Sequence, residues 1–105
     1  MNAKKELVDD LKSCGKSVKD IELIAIKYAP NYDKHIIFYQ KENFNLDELD
    51  FDYDCGYGGQ ELYGYVLFKD NTWLSRGEYD GSEWWEYNMK PTFEDIQKWI
   101  DADIY

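Results

Sequence analysis

Residues 61 to 89 read ELYGYVLFKDNTWLSRGEYDGSEWWEYNM, three apolar segments separated by two short polar breaks. Aromatic and β-branched residues are frequent in these segments, and such residues are typical of strands. Asp70–Asn71 stands at the first break and Asp80–Gly81 at the second. Asp-Gly is a favoured pair for the two-residue type I′ hairpin turn. The stretch therefore predicts a three-stranded antiparallel meander in the second half of the chain.

Two further strands are predicted upstream of the meander. IELIAIKYA (21 to 29) is apolar at positions that point to both faces, which favours a strand covered on both sides. A turn is expected at Pro30 to Asp33, and HIIFYQ (35 to 40) can return as the hairpin partner of the first strand.

A third upstream strand is predicted over LDFDYD (49 to 54). Its apolar residues alternate with aspartates, so one face would be half-buried and the other wholly acidic. Carboxylates two residues apart on such a strand lie about 6.6 to 7 Å from each other, comparable to the spacing of successive phosphates along a nucleic-acid strand.

A helix is predicted at each end of the chain. Over residues 2 to 14 apolar side chains recur at spacings of three and four, and Gly15 follows as the C′ residue. Near the other end Thr92 caps a helix, with Asp95 three residues on. The stripe of this helix expected to face the core consists of Phe93, Ile96, Trp99 and Ile100. The prediction is a single α+β domain over residues 1 to 105, with an antiparallel sheet of four to six strands.

Composition indicates what kind of partner to expect. The chain has 105 residues, 44% of them hydrophobic, with 22 acidic and 12 basic side chains and a net charge of −10. This apolar content supports an ordered domain, whereas the charge disfavours direct binding to nucleic acid or to an anionic membrane. We expect a basic protein partner; whether the chain is a monomer or a dimer stays open.

Cysteine usage and the first residues favour a cytoplasmic location. Cys14 and Cys55 are the only cysteines and have no CxxC spacing, and MNAKKELVDD at the start is polar rather than signal-like. Reduced thiols are expected, with a single disulfide as the alternative. The apolar runs are too short to span a bilayer.

Catalytic and cofactor motifs are missing from the sequence. His35 is the only histidine and has no companion for a zinc site, and CGYGG (55 to 59) lacks the Lys and Ser/Thr of a phosphate-binding loop. We predict no catalytic residue, no cofactor and no metal, and therefore not an enzyme.

The stretch DFDYDCGYGGQE (50 to 61) raises an alternative. Four acids occupy positions 1, 3, 5 and 12 of a twelve-residue calcium loop: Asp50, Asp52, Asp54 and Glu61. Cys55 stands at position 6, where that loop requires glycine, and a strand-like segment follows. A small-ligand or Ca²⁺-binding domain that uses this loop remains the second hypothesis.

Segregated charge supports the first hypothesis, a protein-binding surface. Between Asn43 and Phe68 all charged residues are acidic, and they form the first candidate group: Asp47, Glu48, Asp50, Asp52, Asp54 and Glu61. A second group surrounds the last hairpin: Glu78, Asp80, Glu83, Trp84 and Glu86. Such a surface could compete for a basic groove, and the competing interpretation is that these charges only solvate a small aromatic-rich domain.

The tryptophans add a possible interface anchor. Trp84 and Trp85 are adjacent on one predicted strand and must point to opposite faces, so one of them is expected to be exposed. Trp73, Trp85 and Trp99 are expected to fill the core.

Residues 58 to 87, GGQELYGYVLFKDNTWLSRGEYDGSEWWEY, resemble a stretch found in short proteins of phages, prophages and their bacterial hosts. Size, acidity and the helix-plus-sheet pattern are also similar in type to anti-CRISPR proteins. That resemblance implies an inhibitor of a Cas nuclease or a similar effector, active in the host-cell cytoplasm, which occupies a Lys/Arg-lined channel and so blocks DNA binding or cleavage.

Overall fold

The computed structural model describes residues 1 to 30, 36 to 54 and 59 to 102. Within these ranges the elements are α1 Ala3–Ser13, β1 Ile21–Tyr28, β2 Ile36–Gln40, β3 Leu62–Phe68, β4 Trp73–Tyr79, β5 Ser82–Asn88 and α2 Phe93–Asp101, with short 3-10 helices at Val18–Asp20 and Leu46–Leu49. The predicted α+β class, with a helix at each end of an antiparallel sheet, is confirmed.

The sheet has five strands in the order β2-β1-β3-β4-β5, and every neighbouring pair is antiparallel. The predicted meander forms β3, β4 and β5. Asp80 and Gly81 adopt φ values of 51° and 85° between Tyr79 and its cross-strand partner Ser82. Two successive positive φ angles define the type I′ turn, so this prediction is also confirmed.

The hydrophobic core lies on one face of the sheet. Leu7 and Leu11 of α1 are buried, and so are Ile24 of β1, Val66 of β3 and Leu74 of β4. The 3-10 helix Leu46–Leu49 adds its own buried leucines beside α1. Fully burying each such side chain contributes about 1.5 to 3 kcal/mol, so this layer holds α1 against the sheet.

The prediction that the first strand is covered on both sides is wrong. Ile24 and Ile26 are buried, but the alternate residue Lys27 is exposed. The other face of the sheet carries large apolar side chains that are more than a third exposed: Ile37, Tyr39, Tyr63, Tyr65, Leu67 and Trp84. An apolar run shows that a strand is suited to burial, but not whether the same chain supplies the second layer.

Gly64 allows β1 and β3 to approach closely. Its φ is 152°, and a Cβ added there would lie 2.3 Å from the backbone oxygen of Ala25 on β1. Any larger residue would force the two strands apart at the centre of the sheet.

The predicted core role of α2 is wrong. The helix begins as expected, because the Thr92 side chain accepts from the Asp95 amide and the Asp95 carboxylate accepts from the Thr92 amide. Yet Phe93 is 94% exposed and Trp99 72% exposed, and Ile96 and Ile100 are exposed as well. The cap and the stripe specify an amphipathic helix without specifying what covers its apolar side.

The predicted strand over residues 49 to 54 is also wrong. Leu49 ends a 3-10 helix, and Asp52 forms only an isolated antiparallel bridge with Asn2. The expected alternation is nevertheless present, since Leu49 and Tyr53 are buried while the aspartates between and beside them are exposed.

Candidate functional site

Residues 49 to 54, the acidic segment, are anchored to the start of α1. The amide of Ala3 donates to the Phe51 oxygen at 2.9 Å, and the amide of Tyr53 donates to the Met1 oxygen at 2.9 Å. Phe51 packs on the Tyr28 ring, with centroids 4.5 Å apart. Because its apolar residues are held inside, the segment directs its carboxylates to the surface on the α1 side of the sheet.

Three of these carboxylates surround one open cavity. Asp52, Asp54 and Glu61 line a cavity of about 430 Å³ beside Tyr28, at the end of β1. The Asp54 amide donates to Oε2 of Glu61 at 3.0 Å, which holds the two sides of the cavity together. Burial raises the pKa of Tyr28, and the negative charges of Glu61 and Asp54 raise it further. The Met1 ammonium also lines the cavity and donates to the Tyr53 oxygen at 3.2 Å. Three carboxylates outweigh this one positive charge, so the lining is net negative and favours a cationic group.

The remaining acids of the first group are engaged by neighbours. Lys4 of α1 pairs with Asp47, and this contact raises the pKa of the Lys4 ammonium. Asp50 accepts from Asn2 Nδ2 at 2.9 Å. Glu48 in turn accepts from the Gln40 side chain at 2.8 Å. These residues extend the acidic surface away from the cavity, and part of their charge is already balanced.

The second candidate group does not form a single patch. Glu78 accepts from the Gly81 amide at 2.8 Å at the hairpin tip, where Asp80 is also exposed. Trp84 is 38% exposed and its Nε1 donates to Glu86 at 3.1 Å, on the sheet face opposite to α1. The first group therefore lies on one side of the sheet, and Trp84 with Glu86 on the other.

The exposure pattern of the tryptophans partly matches the expectation. Trp85 is 7% exposed and belongs to the core, so the adjacent tryptophans do point to opposite faces. The core positions expected for Trp73 and Trp99 are wrong, since Trp73 is half-buried opposite Leu67 on the other face of the sheet and Trp99 is exposed.

Glu83 is not a surface residue, so its assignment to the partner-binding group is wrong. Its side chain is 0% exposed and accepts from Arg76 Nη2 at 2.7 Å. It also accepts from the backbone amides of Glu61 and Leu62, at 2.8 and 3.0 Å. Since β5 directs Glu83 to the same side as Trp85, the carboxylate enters the core and holds the start of β3.

This ion pair is part of a buried network that the sequence patterns did not predict. Arg76 Nη1 donates to Glu6 of α1 at 3.0 Å, and Nη2 donates to the Tyr53 hydroxyl at 3.0 Å. The Tyr53 hydroxyl donates to the same Glu6 oxygen at 2.6 Å. The signal was available, because Arg76 lies two residues after the buried Leu74 and so points inward. The network joins α1, the acidic segment and the last two strands.

Among residues 1 to 30, 36 to 54 and 59 to 102, no group of three or more His, Cys, Asp or Glu side chains is arranged to hold a metal ion. Residues 55 to 58 of the calcium-like loop lie outside these ranges, and so does His35. The Cys14 thiol donates to the Leu11 oxygen at 3.4 Å, and Cys55, its alternative disulfide partner, is likewise outside the described residues.

Comparison with protein-family models, curated proteins and solved structures finds no match for this chain. In the part of the chain that the structure describes, no helix is both long enough and apolar enough to cross a membrane.

Proposed function

We propose that the protein is an inhibitory binding protein whose acidic surface occupies the basic groove of a nucleic-acid-handling effector, such as a Cas nuclease, and excludes DNA from it. The observation that carries the proposal is the placement of Asp52, Asp54 and Glu61 around one open cavity. A Lys or Arg side chain of the effector would enter this cavity, in place of its usual contact with a phosphate.

Rigidity supports this function. The acidic segment is bonded to residues 1 to 3 by backbone hydrogen bonds, and its side chains Phe51 and Tyr53 pack inward. A surface that is already ordered loses little conformational entropy on binding, so more of the electrostatic attraction contributes to affinity. The net charge of −10 would in addition accelerate encounter with a basic groove.

The second hypothesis, a small cationic ligand or Ca²⁺, would use the same cavity, because carboxylates line it. Those carboxylates are not arranged as a metal site, since no group of three or more metal-binding side chains among the described residues is placed to hold an ion. The hypotheses differ in salt dependence, since attraction between exposed charges is screened by salt and a buried ion is screened much less.

Two matched triple variants test the proposal. The first is Asp52→Asn, Asp54→Asn and Glu61→Gln, which keeps side-chain size and acceptor oxygens at the cavity. The control is Asp9→Asn, Glu22→Gln and Glu42→Gln, which removes the same charge from three exposed positions elsewhere. Close charge pairs across an interface contribute roughly 1.5 kcal/mol or more each, so the cavity variant should lose on the order of a thousand-fold in affinity. The control should lose far less.

The binding assay uses the immobilised protein to capture its target from bacterial lysate, followed by competition with double-stranded DNA and with salt. We expect a basic nucleic-acid-binding protein that excess DNA displaces. Equal losses in the two triple variants, or a complex that resists both DNA and high salt, would contradict the mechanism. A rise in melting temperature with calcium that only the cavity variant abolishes would favour the second hypothesis.

A further inference from the structure

Two large apolar surfaces are left uncovered by the residues that the structure describes. The first is the open face, defined as the exposed residues Ile37, Tyr39, Tyr63, Tyr65, Leu67 and Trp84. The second is the helix stripe, defined as Phe93, Ile96, Trp99 and Ile100. An open sheet face and an amphipathic helix are the two layers from which α+β domains are built. Here both are present in one chain and exposed at the same time.

The open face contains a groove between two tyrosines. A cavity of about 370 Å³ lies over β1, with Tyr39 on one side and Tyr65 on the other. Ala25 pairs with both tyrosines, so its small side chain forms the floor between them. Most of the side chains that line this groove are apolar, which suits it to contact with an aromatic ring such as that of Trp99.

Charge at the groove complements charge on the helix. Lys27 lines the groove, and Lys41 lies 5.5 Å from the centre of the Tyr39 ring. The sequence of α2, FEDIQKWID, has three acids and one lysine. A helix seated over β1 would bring its acids close to these two lysines.

The connection between β5 and α2 directs the helix away from its own sheet. Pro91 restricts Lys90 to extended conformations, and Thr92 is extended with φ −83° and ψ 168°. Residues 89 to 101 are all exposed, so α2 does not fold back over the open face of its own sheet. In agreement, the radius of gyration is 15.8 Å, whereas a compact chain of this length has about 13 Å.

The area available matches a stable dimer. An aromatic side chain buries about 150 to 250 Å² when covered, so Phe93 and Trp99 together offer on the order of 300 Å² at their exposures of 94% and 72%. The groove would lose a similar solvent-accessible area when the helix covers it. Two reciprocal contacts between a helix and a groove then bury roughly 1,200 Å², the lower end of the range for specific interfaces.

We propose that the protein forms a reciprocal dimer, in which α2 of each copy seats its helix stripe in the groove of the open face of the other copy. The occupant of the open face is thus a second copy of this chain. This proposal is independent of the proposed function, because it uses the opposite side of the sheet from the acidic cavity.

Sedimentation equilibrium over a range of concentrations tests the dimer with three single variants. Trp99→Asp places a charge in the helix stripe, and Tyr65→Asp places one in the groove; each should convert the dimer to a monomer. Lys98→Ala, in the same helix but outside the stripe, should leave the dimer intact. Because Trp99 and Tyr65 are exposed, both variants should retain the circular dichroism and urea unfolding of a folded monomer.

Mixing the two defective variants gives the decisive result. A Trp99→Asp copy keeps an intact groove and a Tyr65→Asp copy keeps an intact helix stripe. A heterodimer of the two can therefore form one intact contact between a helix and a groove. Native mass spectrometry should show a heterodimer in the mixture and monomers in each variant alone. A wild-type monomer at all concentrations, with α2 folded on its own sheet or free for another partner, would overturn the proposal. A dimer that neither aspartate disrupts would overturn it too.

Discussion

Replacing Arg76 by methionine should destabilise the protein more than any single change at its acidic surface. The Arg76 side chain is only 2% exposed, and it neutralises Glu6 and Glu83, whose side chains are 8% and 0% exposed. Methionine preserves much of the volume beside the Trp85 ring, which lies 4.9 Å from the guanidinium carbon. The main effect is therefore the loss of charge compensation for two buried carboxylates.

Removing one partner of a buried ion pair costs about 3 to 5 kcal/mol, because the charge left behind is neither hydrated nor paired. Domains of this kind have a total stability of about 5 to 15 kcal/mol, so the variant would be marginal. Each kcal/mol corresponds to roughly 4 to 8 °C in a domain of about this size, and the expected drop in melting temperature is at least about 12 °C.

Urea unfolding followed by tryptophan fluorescence measures this loss. The control is Lys98→Ala, which removes a pair with Glu94 that is 3.7 Å long and whose side chains are 74% and 82% exposed. Such a pair contributes no more than about 0.5 kcal/mol. Adding Glu6→Gln to Arg76→Met should restore part of the stability, since it removes one uncompensated charge. A loss as small as that of the control, or a further full loss on adding Glu6→Gln, would refute the reasoning.

Three further predictions concern local features. Gly64→Ala places a new Cβ 2.3 Å from a β1 oxygen, whereas at Gly15 nothing lies within 4 Å of an added Cβ. Gly15→Ala should therefore cost only the strain of a positive φ, about 1 to 2 kcal/mol. Gly64→Ala should reduce the free energy of unfolding in urea by more than this. The hydrogen bond from Lys16 lowers the pKa of Asp70 from 3.8 to about 2. The contribution of the Asp70 carboxylate to stability is therefore complete above pH 3.8 and is lost as the pH falls through 2. Asp70→Asn should flatten the acid side of the stability-against-pH curve over that interval, and an unchanged curve would count against the pairing. Thr92→Ala removes the cap of α2 and should lower the helical signal in far-UV circular dichroism by about the contribution of that helix. The unfolding of the sheet in a monomer should change little. An unaltered helical signal would contradict the capping role.

Local patterns predicted most of the fold. The meander and its Asp80–Gly81 turn depend on residues within a few positions of one another, so the sequence contains the whole signal. The cap of α2 by Thr92 is local for the same reason. What could not be predicted was the partner of each apolar surface, since that depends on residues far away in the chain.

The acidic segment illustrates this limit. Its alternation correctly placed Leu49 and Tyr53 inward, but its bonding partner is the start of α1 around Asn2, some 50 residues away. A period of two reports which side chains are buried and not which backbone lies alongside.

The inward position of Glu83, in contrast, follows from a local pattern in the sequence. Glu83 and Trp85 are two residues apart on one strand and must share a face, so a buried Trp85 requires an inward Glu83. An acid in that position needs a cation, and Arg76 is directly opposite Trp85 in the register of β4 and β5. A charged residue at an inward strand position therefore predicts a buried ion pair rather than a surface binding site.

The two proposals use opposite sides of the sheet, so one can fail while the other holds. The groove that α2 of another copy would occupy lies over β1 on the open face, whereas Asp52, Asp54 and Glu61 lie on the α1 side. A dimer would therefore leave the acidic cavity of each copy accessible. If both proposals hold, each dimer presents two acidic cavities. Tyr65→Asp in the groove should then abolish dimerisation and leave effector binding unchanged, and the cavity triple variant should do the reverse.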